Sequence, residues 1–128
     1  MDQQEMKRRT KEFALRIMKL VGALPQSIEG RAVGNQLVRA GTSVGANYRA
    51  ACRGRSRAEF IAKLGLVEEE ADESAFWLEI IIEGNLLKKH QAESLLEEAN
   101  ELVAIIAASR KSAQGLSLNL KSAIENRK

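Results

Sequence analysis

Basic side chains cluster between residues 39 and 63, and they are the groups in this sequence best suited to bind phosphate. The six candidates are Arg39, Arg49, Arg53, Arg55, Arg57 and Lys63. Guanidinium groups bind phosphate oxygens through paired hydrogen bonds. Such contacts give affinity for a nucleic-acid backbone without reading its sequence. We therefore predict that these six residues form a nucleic-acid-binding surface.

Charge is segregated along the chain, although the net charge of the 128 residues is only +3. Residues 49–63 carry five basic side chains and one acid, whereas residues 68–101 carry eleven acids and two lysines. This pattern is typical of solvated helix faces. It also suits attraction of a polyanion to the basic side, or charge complementarity between subunits.

The carboxylates and the histidine do not form a recognisable catalytic or metal-binding pattern. A di-iron bundle needs inward carboxylates and a Glu-x-x-His on each of two helices, but the single histidine, His90, has no Glu three residues before it. One histidine at a helix start supports no catalytic triad, and Cys52 suits a small core position. The sequence therefore predicts no catalytic residue, no metal, no cofactor and no enzymatic activity.

Four amphipathic helices are predicted to position these residues. Apolar side chains recur at helical spacing in residues 5–24, 27–53, 57–83 and 91–111. Pro25 ends the first helix, and Ser56 with Glu59 forms a capping box before the third. Short connections between such helices predict an all-α, antiparallel up-down four-helix bundle over residues 1–113. Residues 114–128 form a tail that is predicted to be disordered, to pack on a neighbouring subunit, or to be a short frayed helix.

The second helix has a narrow core stripe of small residues. Gly41 and Gly45 lie in this stripe, where a glycine costs about 0.5–1 kcal/mol relative to alanine, so we expect close packing against another backbone. Beside the stripe, Ser43 and Asn47 form a polar strip that we expect to tie helices or subunits together.

The third helix is apolar on two sides. Its main seam repeats every three or four residues, and a second group lies roughly opposite. This group comprises Leu66, Phe76, Trp77 and Ile80. Because few other helices are available to cover it, the sequence predicts an interface between subunits.

The sequence contains no apolar run long enough to span a membrane and no secretory signal pattern. The single cysteine cannot form an internal disulfide. We therefore expect a cytoplasmic protein that does not bind membranes.

Two stretches resemble a known family: residues 36–51, QLVRAGTSVGANYRAA, and residues 56–82, which begin SRAEFIAKLGLVEEEAD. They are similar to the bacterial four-helix-bundle proteins called the S23 or 23S rRNA intervening-sequence protein family. The match is carried by Arg39, Ser43, Gly45, Ala46, Asn47, Phe60, Glu70 and Trp77. Family members resemble the accessory protein of diversity-generating retroelements, which implies a homopentamer, and the rRNA-gene inserts imply RNA association. Where relatives often carry a glutamate this chain has Arg49, which makes the corner more basic.

The predicted function is a non-enzymatic, homo-oligomeric, pentameric helical bundle that binds RNA or DNA through the basic surface. The alternative is a protein-interaction scaffold that recruits another protein without binding nucleic acid itself.

Overall fold

The computed structural model describes residues 1–126, which form four α-helices. They are α1 (Gln3–Gly22), α2 (Ile28–Cys52), α3 (Arg57–Glu83) and α4 (Lys89–Asn126). Each helix packs on its neighbour in the chain, and α1 also packs on α4, which closes the bundle. The predicted all-α, antiparallel four-helix bundle is therefore confirmed.

Side-chain caps set the starts of three helices. Asp2, Ser27 and Ser56 each accept a hydrogen bond from the backbone N–H three residues later, which satisfies a donor that the helix itself leaves unpaired. The Asp2 cap explains why α1 begins at Gln3, two residues before the predicted start. At Ser56 the carboxylate of Glu59 accepts from the N–H of Arg55, whereas the capping-box prediction placed this bond at Ser56 itself.

The turn after α3 depends on a left-handed residue. Asn85 has φ 57°, and Leu86 N–H donates to the Ile81 carbonyl at 2.9 Å. This geometry closes the helix C-terminus and reverses the chain toward α4. The predicted helix end at Gly84 and Asn85 is confirmed.

Core side chains come from every helix at the predicted seam positions. The largest fully buried ones include Phe13, Ile17, Leu37, Leu64, Leu78, Leu102 and Ile106. The small stripe of α2 packs closely on α1, because a Cβ added at Gly41 would lie 2.8 Å from Ile17 Cγ1. The α1 and α2 backbones are therefore held close together along the middle of the pair.

Helix α4 is longer than predicted. We expected it to end at Lys111, but it continues to Asn126. Leu116, Leu118 and Leu120 alternate along the sequence, which left an extended segment and a short helix both open, whereas Leu116, Leu120 and Ile124 also follow helical i, i+4 spacing. Residues 127 and 128 of the predicted tail lie outside the described residues. No helix among residues 1–126 is both long and apolar enough to cross a membrane.

Candidate nucleic-acid interface

A basic groove runs between the N-terminal half of α1 and the C-terminal half of α2. Because the two helices are antiparallel neighbours, their basic ends meet at the same end of the bundle. The groove has a volume of about 460 Å³ and is lined by Gln4, Lys7, Arg8, Lys11, Arg49 and Arg53. Five of its six lining residues are cationic, so the groove is shaped and charged to receive an anion.

Most of these cations keep their charge available. Among residues 1–126, only Arg8 of the groove forms an ion pair, to Glu12 at 3.1 Å. Both partners of that pair are largely exposed, so it contributes little and competes weakly with an external anion. Lys7, Lys11 and Arg49 also line a second, smaller depression together with Gly45 and Ala46.

The turn between α2 and α3 extends the basic surface beyond the groove. Arg55 and Arg57 are exposed on either side of the Ser56 cap. Arg57 lines a separate depression of about 300 Å³ together with Phe60. Lys63 lies one and a half turns further along α3 and is half-buried. We call the groove cations together with Arg55 and Arg57 the basic surface.

Arg39, which the sequence grouped with these cations, lies apart from them. Its guanidinium donates to the carboxylates of both Glu70 and Glu73 on α3, and the hydrogen bond that it donates to Glu73 is the main cause of a raised pKa for Arg39. Ten residues, about 15 Å of helix, separate it from Arg49. Its charge is already matched within the protomer, so we leave it out of the basic surface.

The polar strip of α2 bonds within its own helix. Ser43 Oγ donates to the Arg39 carbonyl at 2.6 Å, and Asn47 Nδ2 donates to the Ser43 carbonyl at 3.0 Å. We expected Ser43 and Asn47 to tie α2 to another helix or subunit. In the described protomer these hydrogen bonds stay within α2 and do not link it to a neighbouring helix.

A charge cluster on the other side of α1 connects it to α4. Arg9 donates to both carboxylate oxygens of Glu98, at 2.7 and 2.6 Å, and also contacts Glu101. The hydrogen bonds from Arg9 lower the pKa of Glu98. Arg9 is thus committed to the fold, unlike its neighbours Lys7 and Arg8, which face the groove.

Tyr48 is not positioned to stack on a base. It is buried in the core, and this burial, reinforced by the adjacent Cys52, raises the pKa of its phenol. Cys52 is half-buried, so it is less enclosed than the core position we expected. Within residues 1–126, no three His, Cys, Asp or Glu side chains converge in a way that could hold a metal ion.

The second apolar face of α3 is partly exposed in the protomer. Leu66, Phe76 and Ile80 are 37–49% exposed. Trp77 differs from them, because it is half-buried against the core and its Nε1–H donates to Glu73 at 3.2 Å. Phe76 packs edge-on against Trp77 with ring centroids 5.0 Å apart. We call Leu66, Phe76, Trp77 and Ile80 the α3 face.

The sequence prediction of the basic surface missed the contribution of α1. Lys7 and Lys11 are not among the six residues that the sequence predicted. The available signal was the antiparallel pairing of α1 with α2, which brings residues near 7 and 11 beside residues near 49 and 53.

Residues 2–108 match the sequence profile described as the 23S rRNA-intervening sequence protein. The chain belongs to this family. A crystal structure of a protein of unknown function from the S23 ribosomal protein family of Bacteroides thetaiotaomicron is similar to it. The two are 34% identical, with a TM-score of 0.80, over 87% of this chain and 99% of that one. A comparison with curated proteins gives no match.

The profile match covers both candidate surfaces but not the end of α4. The basic surface and the α3 face both lie within the matched residues 2–108. The last part of α4 lies beyond the matched residues.

Proposed function

We propose that this protein is a non-enzymatic homo-oligomer, built as a pentamer, that binds nucleic acid through its basic surface. The observation that carries the proposal is the groove of about 460 Å³ in which cations from α1 and α2 converge. Lys7, Lys11, Arg49 and Arg53 have no ion-pair partner within residues 1–126. Cations in such a groove release the counterions of a polyphosphate when they bind it.

The family adds support for RNA as the ligand. Its printed description refers to 23S rRNA intervening sequences. Tyr48 is buried, so its ring is not available to stack on a base. The contacts that we propose are therefore to the phosphate backbone of the nucleic acid. Such binding is weakly sequence-specific and strongly dependent on salt.

Self-association is proposed from the α3 face and from the pentamer that the family resemblance implies. Leu66, Phe76 and Ile80 form one exposed group on a single helix. Burying such a group between subunits removes apolar surface from water. Head-to-tail contacts of this kind generate closed rings when their rotation closes.

The binding test uses fluorescence anisotropy with a labelled single-stranded RNA and the matching DNA. We expect the logarithm of the affinity to fall linearly with the logarithm of the salt concentration. With the single-stranded RNA, the double variant Arg49→Ala with Arg53→Ala should reduce the magnitude of that slope by about 1.4 if both side chains contact phosphate. Lys7→Ala with Lys11→Ala should act similarly.

Arg31→Ala is the matched control. Arg31 is also exposed on α2, but it lies eighteen residues, about 27 Å, from Arg49. It should leave the slope unchanged. Absence of binding at low salt, or equal effects of Arg31 and the Arg49–Arg53 pair, would contradict the proposal. A protein partner that survives nuclease treatment and is lost with the arginines would instead favour the scaffold function.

A further inference from the structure

We propose that the C-terminal segment of α4 from one protomer docks on the α3 face of a second copy of this chain. This inference rests on the self-association part of the proposed function and identifies the two surfaces that meet. We call residues 114–126 the C-terminal extension.

The extension carries an uncovered continuation of the core seam. Within the bundle, α4 buries Ala99, Leu102 and Ile106, and the last buried residue of the helix is Ala113. Leu116, Leu120 and Ile124 continue this face at i, i+4 spacing, yet they are 47–60% exposed. A side of α4 that packs on other helices for five turns therefore continues without a partner.

The extension cannot reach the α3 face of its own protomer. Helix α4 has 38 residues and its antiparallel neighbour α3 has 27, so α4 is eleven residues, about 16 Å, longer. Because α4 starts near the Glu83 end of α3, its C-terminal residues lie toward the Arg57 end, where α3 begins. The α3 face lies alongside the opposite, bundled part of α4, so contact between the two requires a second copy.

The leucine stripe is shorter than the α3 face. From Leu116 to Ile124 the extension spans about 12 Å, and from Leu66 to Ile80 the α3 face spans about 21 Å. The whole leucine stripe therefore fits on the exposed part of α3. Apolar side chains on both helices would interdigitate as in ordinary helix packing.

Their charges also match. Residues 66–83 carry seven acids and no Lys or Arg, whereas residues 110–126 carry three basic residues and one acid, Glu125. Arg110 is paired with Glu68 of its own chain, which leaves Lys111 and Lys121 for a partner. In residues 66–83, the acids without an ion pair within residues 1–126 are Glu69, Asp72, Glu79 and Glu83. The α3 face of a second copy therefore offers apolar side chains for the leucine stripe and acids for Lys111 and Lys121.

The test compares two leucines on opposite sides of the extension. Leu120→Glu places a charge in the stripe and should weaken self-association at least about tenfold, as loss of an interface anchor does. Leu118→Glu is the control, because Leu118 is 67% exposed and lies about 160° around the helix from Leu120. The control should keep the wild-type mass in light scattering.

Cross-linking between different copies identifies the docking partner. In a Cys52→Ala background, chains carrying Leu120→Cys are mixed with chains carrying Phe76→Cys and oxidised. We expect a mixed disulfide dimer, and none when Leu118→Cys replaces Leu120→Cys. Both pairs have the same chemistry, so only the side of the helix differs.

The outcomes separate this inference from the proposed function. An oligomer whose mass is unaffected by Leu120→Glu, with no mixed disulfide, overturns the docking alone and leaves nucleic-acid binding standing. A monomeric wild-type chain overturns both self-association and docking. Binding of anionic vesicles that Leu120→Glu abolishes, without cross-linking between copies, would assign the stripe to a lipid surface and overturn the proposal.

Discussion

Replacing Gly41 by alanine should destabilise the bundle, even though alanine is the better helix former. The new Cβ would lie 2.8 and 2.9 Å from the two γ carbons of Ile17 and 3.1 Å from its Cβ. Carbon atoms normally pack at about 3.5–4 Å. Ile17 is fully buried and its branched side chain is stiff, so the α1 and α2 backbones would have to separate.

The expected size follows from two opposing effects. Alanine gains about 0.5–1 kcal/mol in helix propensity, and overpacking a close-packed core costs about 1–3 kcal/mol. Because three contacts to the stiff, buried Ile17 side chain are shorter than the normal packing distance, we expect an overpacking cost in the upper part of that range. Gly41→Ala should then lower the free energy of unfolding by about 1–2 kcal/mol.

Gly65→Ala is the matched control, since a Cβ there meets nothing within 4 Å in the protomer. It should raise the free energy of unfolding by about 0.5–1 kcal/mol. Both variants are measured by urea unfolding at one protein concentration, because self-association would otherwise change the apparent stability.

A double-mutant cycle then isolates the contact. In an Ile17→Ala background the obstructing γ carbons are gone, so Gly41→Ala should become neutral or stabilising. If Gly41→Ala stabilises the protein as much as Gly65→Ala does, the reasoning about close helix approach is refuted.

Two further predictions concern the electrostatics and the caps. The Arg9 guanidinium lowers the pKa of Glu98. The pair therefore stabilises the fold at pH values above about 4.3, the pKa of a glutamate in the unfolded chain. This stabilisation is lost as the pH falls through the lower pKa that Glu98 has in the folded protein. Urea unfolding at neutral and acid pH should therefore show a smaller acid-induced loss of stability for Glu98→Gln than for wild type; equal losses would show that the pair contributes nothing. Ser56→Ala should cost about 1 kcal/mol by removing the α3 cap, whereas Ser109→Ala, exposed on α4, should change stability by less than about 0.5 kcal/mol; equal effects would contradict the capping role.

The bundle could be predicted from the sequence because its signals are local and agree with one another. Pro25, the Ser56 cap and the Gly84–Asn85 turn each mark a helix boundary within a few residues. The seam of α3 repeats so regularly that its buried positions follow from spacing alone. Four such helices with short connections leave few alternatives to an antiparallel bundle.

The remaining features depend on contacts between helices, which the spacing of residues along one helix does not show. Arg39 and Arg49 share an outer face in the sequence pattern, and only the position of α3 shows that Glu70 and Glu73 neutralise Arg39. Likewise Lys7 joins the groove because α1 lies antiparallel to α2. For the end of α4, a strand-like and a helical periodicity coincide in the same leucines, so spacing alone left both alternatives open.

The continuity of α4 fixes the direction in which its terminal leucines point. No loop or proline interrupts the helix between Ile106 and Leu120, so the rotational phase of the stripe is set by the packing of the bundle. Inserting one residue after Ala108 would turn the stripe by about 100° relative to the basic surface, and inserting seven would nearly restore it. The packing of the bundle therefore sets the direction in which the terminal leucines face any surface that they contact.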